Sequence, residues 1–164
     1  MKAALMFIIL ILAAGVTEGE PLSIDAKAPD FSLFDQRDNP VTLRQLVGKP
    51  VILIASDDEG AKHNPAWRKT IVEKYRERIL AIGVADVRKV PFFLKSKFKR
   101  DFQKDPATIL LDWDGVIFTS YGLEKGVSNI IVIDKKGFQR YFHSGSAEQT
   151  AVERLFRVLD TTLE

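Results

Sequence analysis

The hydrophobic pattern of the chain predicts a strand–helix–strand unit in its first half. Residues 51–55 and 79–85 are continuous apolar runs of strand length, as expected for strands covered on both faces. Between them, large apolar residues recur at helical spacing from Trp67 to Tyr75, and this pattern opens with Asn64 as an N-cap and Pro65 at the first helical position. Because a helix connects the two strands, they are expected to be parallel.

The rest of the chain adds short strands and helices to this unit. The other predicted elements are, in chain order, a strand at 31–33, a brief helix capped by Thr42, a helix opening at Pro91, a strand at 108–111, a hairpin of strands 130–133 and 139–142, and a closing helix that starts at a capping box in 146–149. These elements predict an α/β fold, in which a mixed central sheet combines the βαβ unit with a C-terminal β-hairpin and helix and carries helices on both faces.

The N-terminus has the pattern of a secretory signal peptide. Lys2 gives a positive start, residues 3–14 are an unbroken apolar run, and Ala13, Ala14 and Gly15 are small residues of the kind found around a cleavage site. The apolar run is about a dozen residues, whereas a spanning helix needs roughly 20, so a cleaved signal is favoured over an uncleaved membrane anchor. The predicted organisation is a signal peptide at 1–15, a short tether at 16–27 and one domain at 28–164, in a periplasmic or secreted protein.

The chain contains no cysteine. This absence excludes thiolate catalysis, thiolate metal sites and disulfide exchange together. It also means that the domain is held by its core alone, which about 145 residues can provide.

Charge gives little information about partners. Lys and Arg total 24 and Asp and Glu total 22, so the net charge is only +2. Nucleic-acid binding requires a larger basic surplus, and no nucleic-acid partner is expected. No cofactor is predicted.

Four segments, in the same order, resemble the thioredoxin-like redoxins, the superfamily that includes peroxiredoxins and TlpA-like thiol oxidoreductases. Residues 28–33 read Ala-Pro-Asp-Phe-Ser-Leu, residues 41–53 follow the family pattern V-x-L-x-x-L-x-G-K-x-V-x-L, and residues 111–122 and 133–137 look like the family's later strand, turn and hairpin. The resemblance covers the chain from Ala28 to its C-terminus and implies a thioredoxin-like fold.

The chain departs from the family where the family carries its chemistry. In redoxins a reactive cysteine lies at the N-terminus of the helix after the first buried strand, where the helix dipole lowers the thiol pKa. The matching window here is residues 60–64, which contains no sulfur. Thioredoxin-type members also carry a cis-proline where this chain has Val127, Ser128 and Asn129. The resemblance is therefore to cysteine-poor periplasmic redoxin-like proteins of the YtfJ type, whose activity it does not define.

The loop before the first long helix is the main candidate site. Its carboxylates and imidazole suggest a divalent-cation site, because oxygen ligands suit Ca²⁺ or Mg²⁺ and imidazole suits transition metals. The candidate metal ligands are Asp57, Asp58, Glu59 and His63. A solvated acidic loop and a ligand- or partner-binding surface are the alternatives. The candidate binding residues are Asp57, Asp58, Gly60, His63, Asn64, Trp67, Ser128 and Asn129.

The predicted helix at residues 91–104 is basic and aromatic. It carries Phe92, Phe93, Phe98 and Phe102 with four cations interleaved. Such a face is able to meet an anionic membrane or an acidic partner, but the favoured interpretation is that the phenylalanines pack on the sheet while the lysines are solvated.

These observations favour a non-catalytic binding or interaction module that has lost thiol redox activity. Its expected partner is another exported protein or a small anionic ligand, which unpaired N–H groups at a helix N-terminus can attract. Membrane contact is expected only through an uncleaved signal or weakly through the basic helix 91–104. The alternative is an enzyme with a non-thiol, metal-assisted mechanism at Asp57, Asp58 and His63.

Overall fold

The computed structural model describes residues 23–164, which form seven strands and five α-helices. The strands are β1 (Ser32–Phe34), β2 (Pro40–Thr42), β3 (Val51–Ser56), β4 (Leu80–Asp86), β5 (Ile109–Asp112), β6 (Asn129–Ile133) and β7 (Gln139–Ser144). The α-helices are α1 (Leu43–Leu46), α2 (Asn64–Tyr75), α3 (Lys95–Phe102), α4 (Val116–Ser120) and α5 (Gln149–Leu163). Short 3₁₀ helices lie at Gly60–His63, Arg76–Arg78 and Phe92–Leu94.

Five strands form one mixed sheet in the order β5-β4-β3-β6-β7, while β1 and β2 form a separate antiparallel pair. Strand β3 is parallel to β4 and antiparallel to β6, and β4 is parallel to β5. All six residues of β3 are buried, because the strand lies in the centre of the sheet with packed residues on both faces. The predicted mixed sheet, its parallel βαβ unit and its C-terminal hairpin are confirmed.

Two apolar cores cover the two faces of the sheet. Alternate residues of β3 point to opposite faces, so that Ile52 and Ile54 contact one core and Val51, Leu53 and Ala55 contact the other. The core around Ile52 contains Trp67, Ile71 and Tyr75 of α2 and Leu155 and Leu159 of α5. The core around Leu53 contains residues of β1, α1 and α4.

Both predicted side-chain caps of the long helices are wrong. Asn64 has helical backbone angles and does not cap α2, because the 3₁₀ helix Gly60–His63 runs directly into this helix and its carbonyls already accept from the following N–H groups. Helix α5 begins at Gln149 and has no side-chain cap. The Ser146 hydroxyl contacts the Glu148 carboxylate at 3.3 Å instead of an amide of the helix.

The phenylalanines of the basic helix do not all pack on the sheet. Phe92 is 87% exposed, Phe93 is 80% exposed and Phe98 is 39% exposed, so the favoured interpretation is wrong for these three side chains. Phe102 alone among the four is half-buried. The physical reason is that the helix stands away from the sheet, across a groove described below.

Helix α4 was not predicted from the sequence. The Asp112 carboxylate organises it by accepting hydrogen bonds from the amides of Val116 and Ile117 at 2.7 and 2.9 Å, with a longer one from Phe118 at 3.3 Å. Burial raises the pKa of Asp112 although these amides favour its charged form.

The predicted signal peptide and most of the predicted tether lie outside the described residues. The last residues of the tether are tied to the domain, since the amide of Asp25 donates to Gln139 O at 2.7 Å and Lys27 forms a bridge with Phe138. Within residues 23–164, no helix is both long and apolar enough to cross a membrane.

Candidate functional site

Asp57, the first residue after β3, joins two segments that are distant in the chain. Its Oδ1 accepts the amide of Gly60 at 2.9 Å, at the start of the 3₁₀ helix that leads into α2. The same carboxylate accepts the amide of Gly126 at 3.1 Å. Asp57 is buried, and its oxygens are therefore committed to backbone donors on both sides.

Gly60 lies directly against the backbone of Val127. A β-carbon at position 60 would come within 3 Å of the N, C and O atoms of Val127, which no real side chain tolerates. The loop before β6 therefore lies against the first residue of the window 60–64, in which the resemblance to redoxins puts the reactive cysteine.

Hydrogen bonds among three side chains stabilise the same contact. The Asn64 amide donates to Ser56 Oγ at 2.7 Å, and its Oδ1 accepts from Ser128 Oγ at 2.5 Å. These three residues belong to the end of β3, the start of α2 and the loop before β6. They hold the loop against the helix, and every peptide bond in residues 23–164 is trans, including those of this loop.

Asn129 fixes the other end of the loop. Its Nδ2 donates to Glu124 O at 2.8 Å, while its Oδ1 accepts from the Glu124 amide at 3.0 Å and from Ser144 Oγ at 2.9 Å. The side chain is fully buried, so this network is a structural support for residues 124–128 and is closed to ligands.

Five of the eight predicted binding residues are buried: Asp57, Gly60, Trp67, Ser128 and Asn129. Asp57 still lines the groove described below, whereas the other four are enclosed and cannot contact a partner. Trp67 belongs to the core, where its indole N–H donates to Gly145 O at 2.9 Å and its ring meets the edge of the His143 ring at 5.5 Å. The prediction of these four as contact residues is corrected accordingly.

The predicted metal ligands do not converge. No three His, Asp or Glu side chains among residues 23–164 lie together as a metal-binding group. The carboxylate of Asp57 is engaged by backbone amides, whereas Asp58 is exposed with Lys89 4.0 Å away. His63 is half-buried at the N-cap of α2 and makes no capping hydrogen bond. This geometry offers no ligand set for a metal-assisted mechanism.

A second acidic cluster lies where β4 and β5 end. Asp86 is paired with Asp112 across the strands, and Arg88 contacts Asp86 at 2.9 and 2.6 Å. Burial raises the pKa of Asp86, but the hydrogen bonds from Arg88 outweigh burial and lower it. Because Asp112 is satisfied by the α4 amides, the cluster is a structural ion pair beside a helix N-terminus.

A groove of about 920 Å³ opens beside the closed helix start. Its floor is formed by Ala81, Gly83 and Ala85, which alternate along β4 and have too little side chain to fill the space. Helix α2 forms one wall and α3 the other. The volume is within the range of about 300–1,000 Å³ that is usual for small-molecule sites.

The walls of the groove are mainly apolar. Their apolar side chains include Pro65 and Val72 from α2, and Phe98 and Phe102 from α3. Of the predicted binding residues, Asp57, Asp58 and Asn64 line one end of this groove. The site residues that sequence reasoning missed are thus the wall and floor residues, whose only signal in the sequence is the alternation of small residues along β4.

The charges that line the groove are mostly negative. Six carboxylates line it, at Asp57, Asp58, Glu73, Asp86, Asp101 and Asp105. Three cations line it, at Arg68, Lys69 and Lys89. Arg68 contacts both oxygens of Asp105 at 2.7 and 2.8 Å, and although burial raises the pKa of Asp105, these bonds lower it. Each of the three lining cations contacts a carboxylate, in the pairs Arg68–Asp105, Lys69–Glu73 and Lys89–Asp58, so none of them is free to bind an anion.

Comparison with solved structures places this arrangement in a known fold. A provisionally named thiol:disulfide interchange protein DsbE from Chlorobium tepidum is 23% identical and superposes with a TM-score of 0.69, over 87% of this chain and 99% of that one. A thiol peroxidase from Chromobacterium violaceum is 14% identical, with a TM-score of 0.65 over 89% and 91% of the two chains. The exposed lipoprotein thioredoxin of Streptococcus pneumoniae is 20% identical, with a TM-score of 0.61 over 79% and 98%.

No protein-family model matches the chain, and no curated protein is similar enough to count as a relative. The structural likeness shows the fold, which is thioredoxin-like, as the sequence resemblance implied. This chain has that fold but contains no cysteine.

Proposed function

We propose that this chain is a non-catalytic binding protein of an exported compartment, and that its ligand is an elongated, apolar and uncharged molecule held in the groove between α2 and α3. The observation that carries the first part is the contact between Gly60 and Val127. This contact leaves no space for a side chain at Gly60, the first residue of the window in which the resemblance to redoxins puts the thiol, so the proposal does not depend on the missing cysteine alone.

The loss of catalysis is supported by how completely the closed helix start is satisfied. The Asp57 carboxylate accepts from the backbone amides of Gly60 and Gly126. The Ser128 hydroxyl donates to Asn64 Oδ1. A substrate would have to break these bonds to reach the helix start, and it would find no nucleophile there.

The ligand class follows from the lining of the groove. Small residues on the floor and apolar side chains on the walls favour an elongated apolar molecule. The three cations that line the groove each contact a carboxylate already, so the small anionic ligand expected from the sequence is less well supported than an uncharged one.

The binding test uses two probes that differ only in charge. N-phenyl-1-naphthylamine is neutral, and 8-anilinonaphthalene-1-sulfonate adds one sulfonate to the same framework. We expect the neutral probe to bind with enhanced fluorescence and at least about tenfold more tightly than the sulfonate.

The matched variants place the same side chain inside and outside the groove. Ala85→Phe fills the floor and should abolish binding of the neutral probe, whereas Ala66→Phe, on α2 but away from the groove, should leave it unchanged. Equal binding to both variants would place the probe elsewhere and overturn the groove as the site.

The catalytic test measures turnover by the purified protein. We expect neither hydroperoxide reduction with dithiol donors nor insulin disulfide reduction above a boiled control. Turnover that co-purifies with the protein through several columns would contradict the proposal, whatever the probes show.

Export is proposed on the apolar N-terminal run and on the name of one structural neighbour, an exposed lipoprotein thioredoxin. Cell fractionation followed by N-terminal sequencing tests it. A protein that stays in the cytoplasm with Met1 in place would remove the export part and leave the groove untouched.

A further inference from the structure

Phe92 and Phe93 form an exposed aromatic pair at the start of the connection between β4 and β5. They are 87% and 80% exposed, the two highest values among the large apolar side chains of residues 23–164. Neither residue lines the α2–α3 groove, so filling the groove would leave both in water. A neighbouring surface is needed to bury them.

The surroundings of this pair are basic. Between residues 88 and 104 there are seven cations and one carboxylate. Four of the cations contact carboxylates, in the pairs Arg88–Asp86, Lys89–Asp58, Lys99–Asp38 and Lys104–Asp101. Lys95, Lys97 and Arg100 form no ion pair within residues 23–164, which leaves a local positive excess.

Phe93 shares one side of the segment with two of the free cations. Phe93, Lys97 and Arg100 are spaced four and three residues apart, which aligns them along one face of a helix. All three are exposed, whereas Leu94 and Phe102 turn toward the groove. An approaching surface would therefore meet the Phe93 ring and the two free cations together, with the exposed Phe92 next to Phe93 in the chain.

We propose that Phe92 and Phe93 insert into the interfacial region of an anionic lipid bilayer, with Lys97 and Arg100 on the lipid head groups. Protein segments that bind at the interface of anionic membranes typically combine aromatic rings with neighbouring cations. A protein partner fits less well, because lysine is depleted in protein–protein interfaces and two side chains are too few for an interface core.

Vesicle sedimentation tests the proposal with a chain that begins at Ser23, which separates it from the apolar N-terminal run. All described strands, helices and core residues lie beyond Ser23, so this chain contains every described element of the fold. We expect binding to vesicles of phosphatidylcholine with phosphatidylglycerol, and binding to pure phosphatidylcholine weaker by at least about tenfold. High salt should reduce the binding to anionic vesicles.

The variants separate the aromatic and the electrostatic parts. Phe92→Ala with Phe93→Ala should lower the partition coefficient at least about tenfold, because both rings leave the bilayer. Lys97→Glu with Arg100→Glu should lower it by a similar factor on anionic vesicles only. The matched controls are Phe34→Ala, a 58% exposed ring on β1, and Lys135→Glu with Lys136→Glu; both should bind like the parent chain.

All substituted residues are exposed, and unchanged thermal melting checks that each variant is folded. Equal binding by the parent and the Phe92/Phe93 double variant would overturn the proposal. So would equal binding to both kinds of vesicle, or no binding at all, which would leave a protein partner as the occupant. None of these outcomes bears on ligand binding in the groove.

Discussion

Asn129 holds Glu124 through both ends of its side-chain amide. Its Nδ2 donates to the Glu124 carbonyl at 2.8 Å, and its Oδ1 accepts from the Glu124 amide at 3.0 Å. The Asn129 side chain thus makes the pair of hydrogen bonds that a neighbouring backbone segment would otherwise make, and it shapes the loop that lies against Gly60.

Replacing Asn129 with alanine should lower the free energy of unfolding by about 3 kcal/mol, because the amide and carbonyl of Glu124 and the hydroxyl of Ser144 lose their partner at once. Chemical denaturation measures the loss, and hydrogen exchange should show faster exchange at residues 124–128. Ser144→Ala is the matched control, since it removes a single 2.9 Å hydrogen bond to the same amide and should cost about 1 kcal/mol. Equal losses in the two variants would contradict the supporting role of Asn129.

Gly60→Ala should destabilise the protein by about 2–3 kcal/mol, because the new β-carbon overlaps the Val127 backbone and the loop must move. Gly83→Ala provides the comparison. Its β-carbon meets the flexible side chain of Ile109 at 3.2 Å, and its cost should stay below about 1 kcal/mol. Thermal and urea unfolding of both variants check the difference. A neutral Gly60→Ala variant would show that the helix start is open.

The Asp134 carboxylate should stabilise the folded protein near neutral pH and lose this effect in acid. Burial raises its pKa, but hydrogen bonds from the Phe138 and Lys136 amides and from Arg140 outweigh burial and lower it. Since the folded-state pKa lies below the unfolded value of about 3.9, the stabilisation is present above that value and is lost as the pH falls through the folded pKa.

Asp134→Asn should therefore cost about 2 kcal/mol near pH 7, and the difference from the parent chain should shrink below about pH 4. Urea unfolding across this range measures both quantities. A difference that stays constant down to pH 2 would mean that the carboxylate charge is not what stabilises the hairpin turn.

Added metal should leave the melting temperature unchanged to within about 1 °C, because the structure brings no ligand set together at the 57–63 loop. The measurement compares Ca²⁺, Zn²⁺ and EDTA. A rise of several degrees that disappears in His63→Ala or Asp57→Asn would instead support the metal-assisted alternative.

Much of the fold was predictable because its signals are local or periodic. The apolar runs of β3 and β4 and the helical spacing that begins at Trp67 reflect burial along single segments. Helix α4 escaped prediction because its five residues are too short for a periodic signal, and its N-terminus depends on Asp112, which precedes it by four residues.

The sequence predicted a candidate site in the loop after β3, but the roles of its residues were not predictable. Asn64 has the composition of an N-cap, yet it bonds to Ser56 and Ser128, because the 3₁₀ helix before α2 leaves no capping role. Trp67 was a candidate contact residue and is a core residue. Both outcomes depend on partners up to 78 residues away in the chain.

By itself, the amino-acid sequence determined the α/β architecture and the exclusion of thiol chemistry. The spacing of buried residues is visible within each segment, and the absence of cysteine can be read without a structure. Only the tertiary structure decided that Val127 closes the helix start, that a groove opens over the small residues of β4, and that Phe92 and Phe93 face water. These features are contacts, or gaps, between segments far apart in the chain, and their distances are set by how the elements pack.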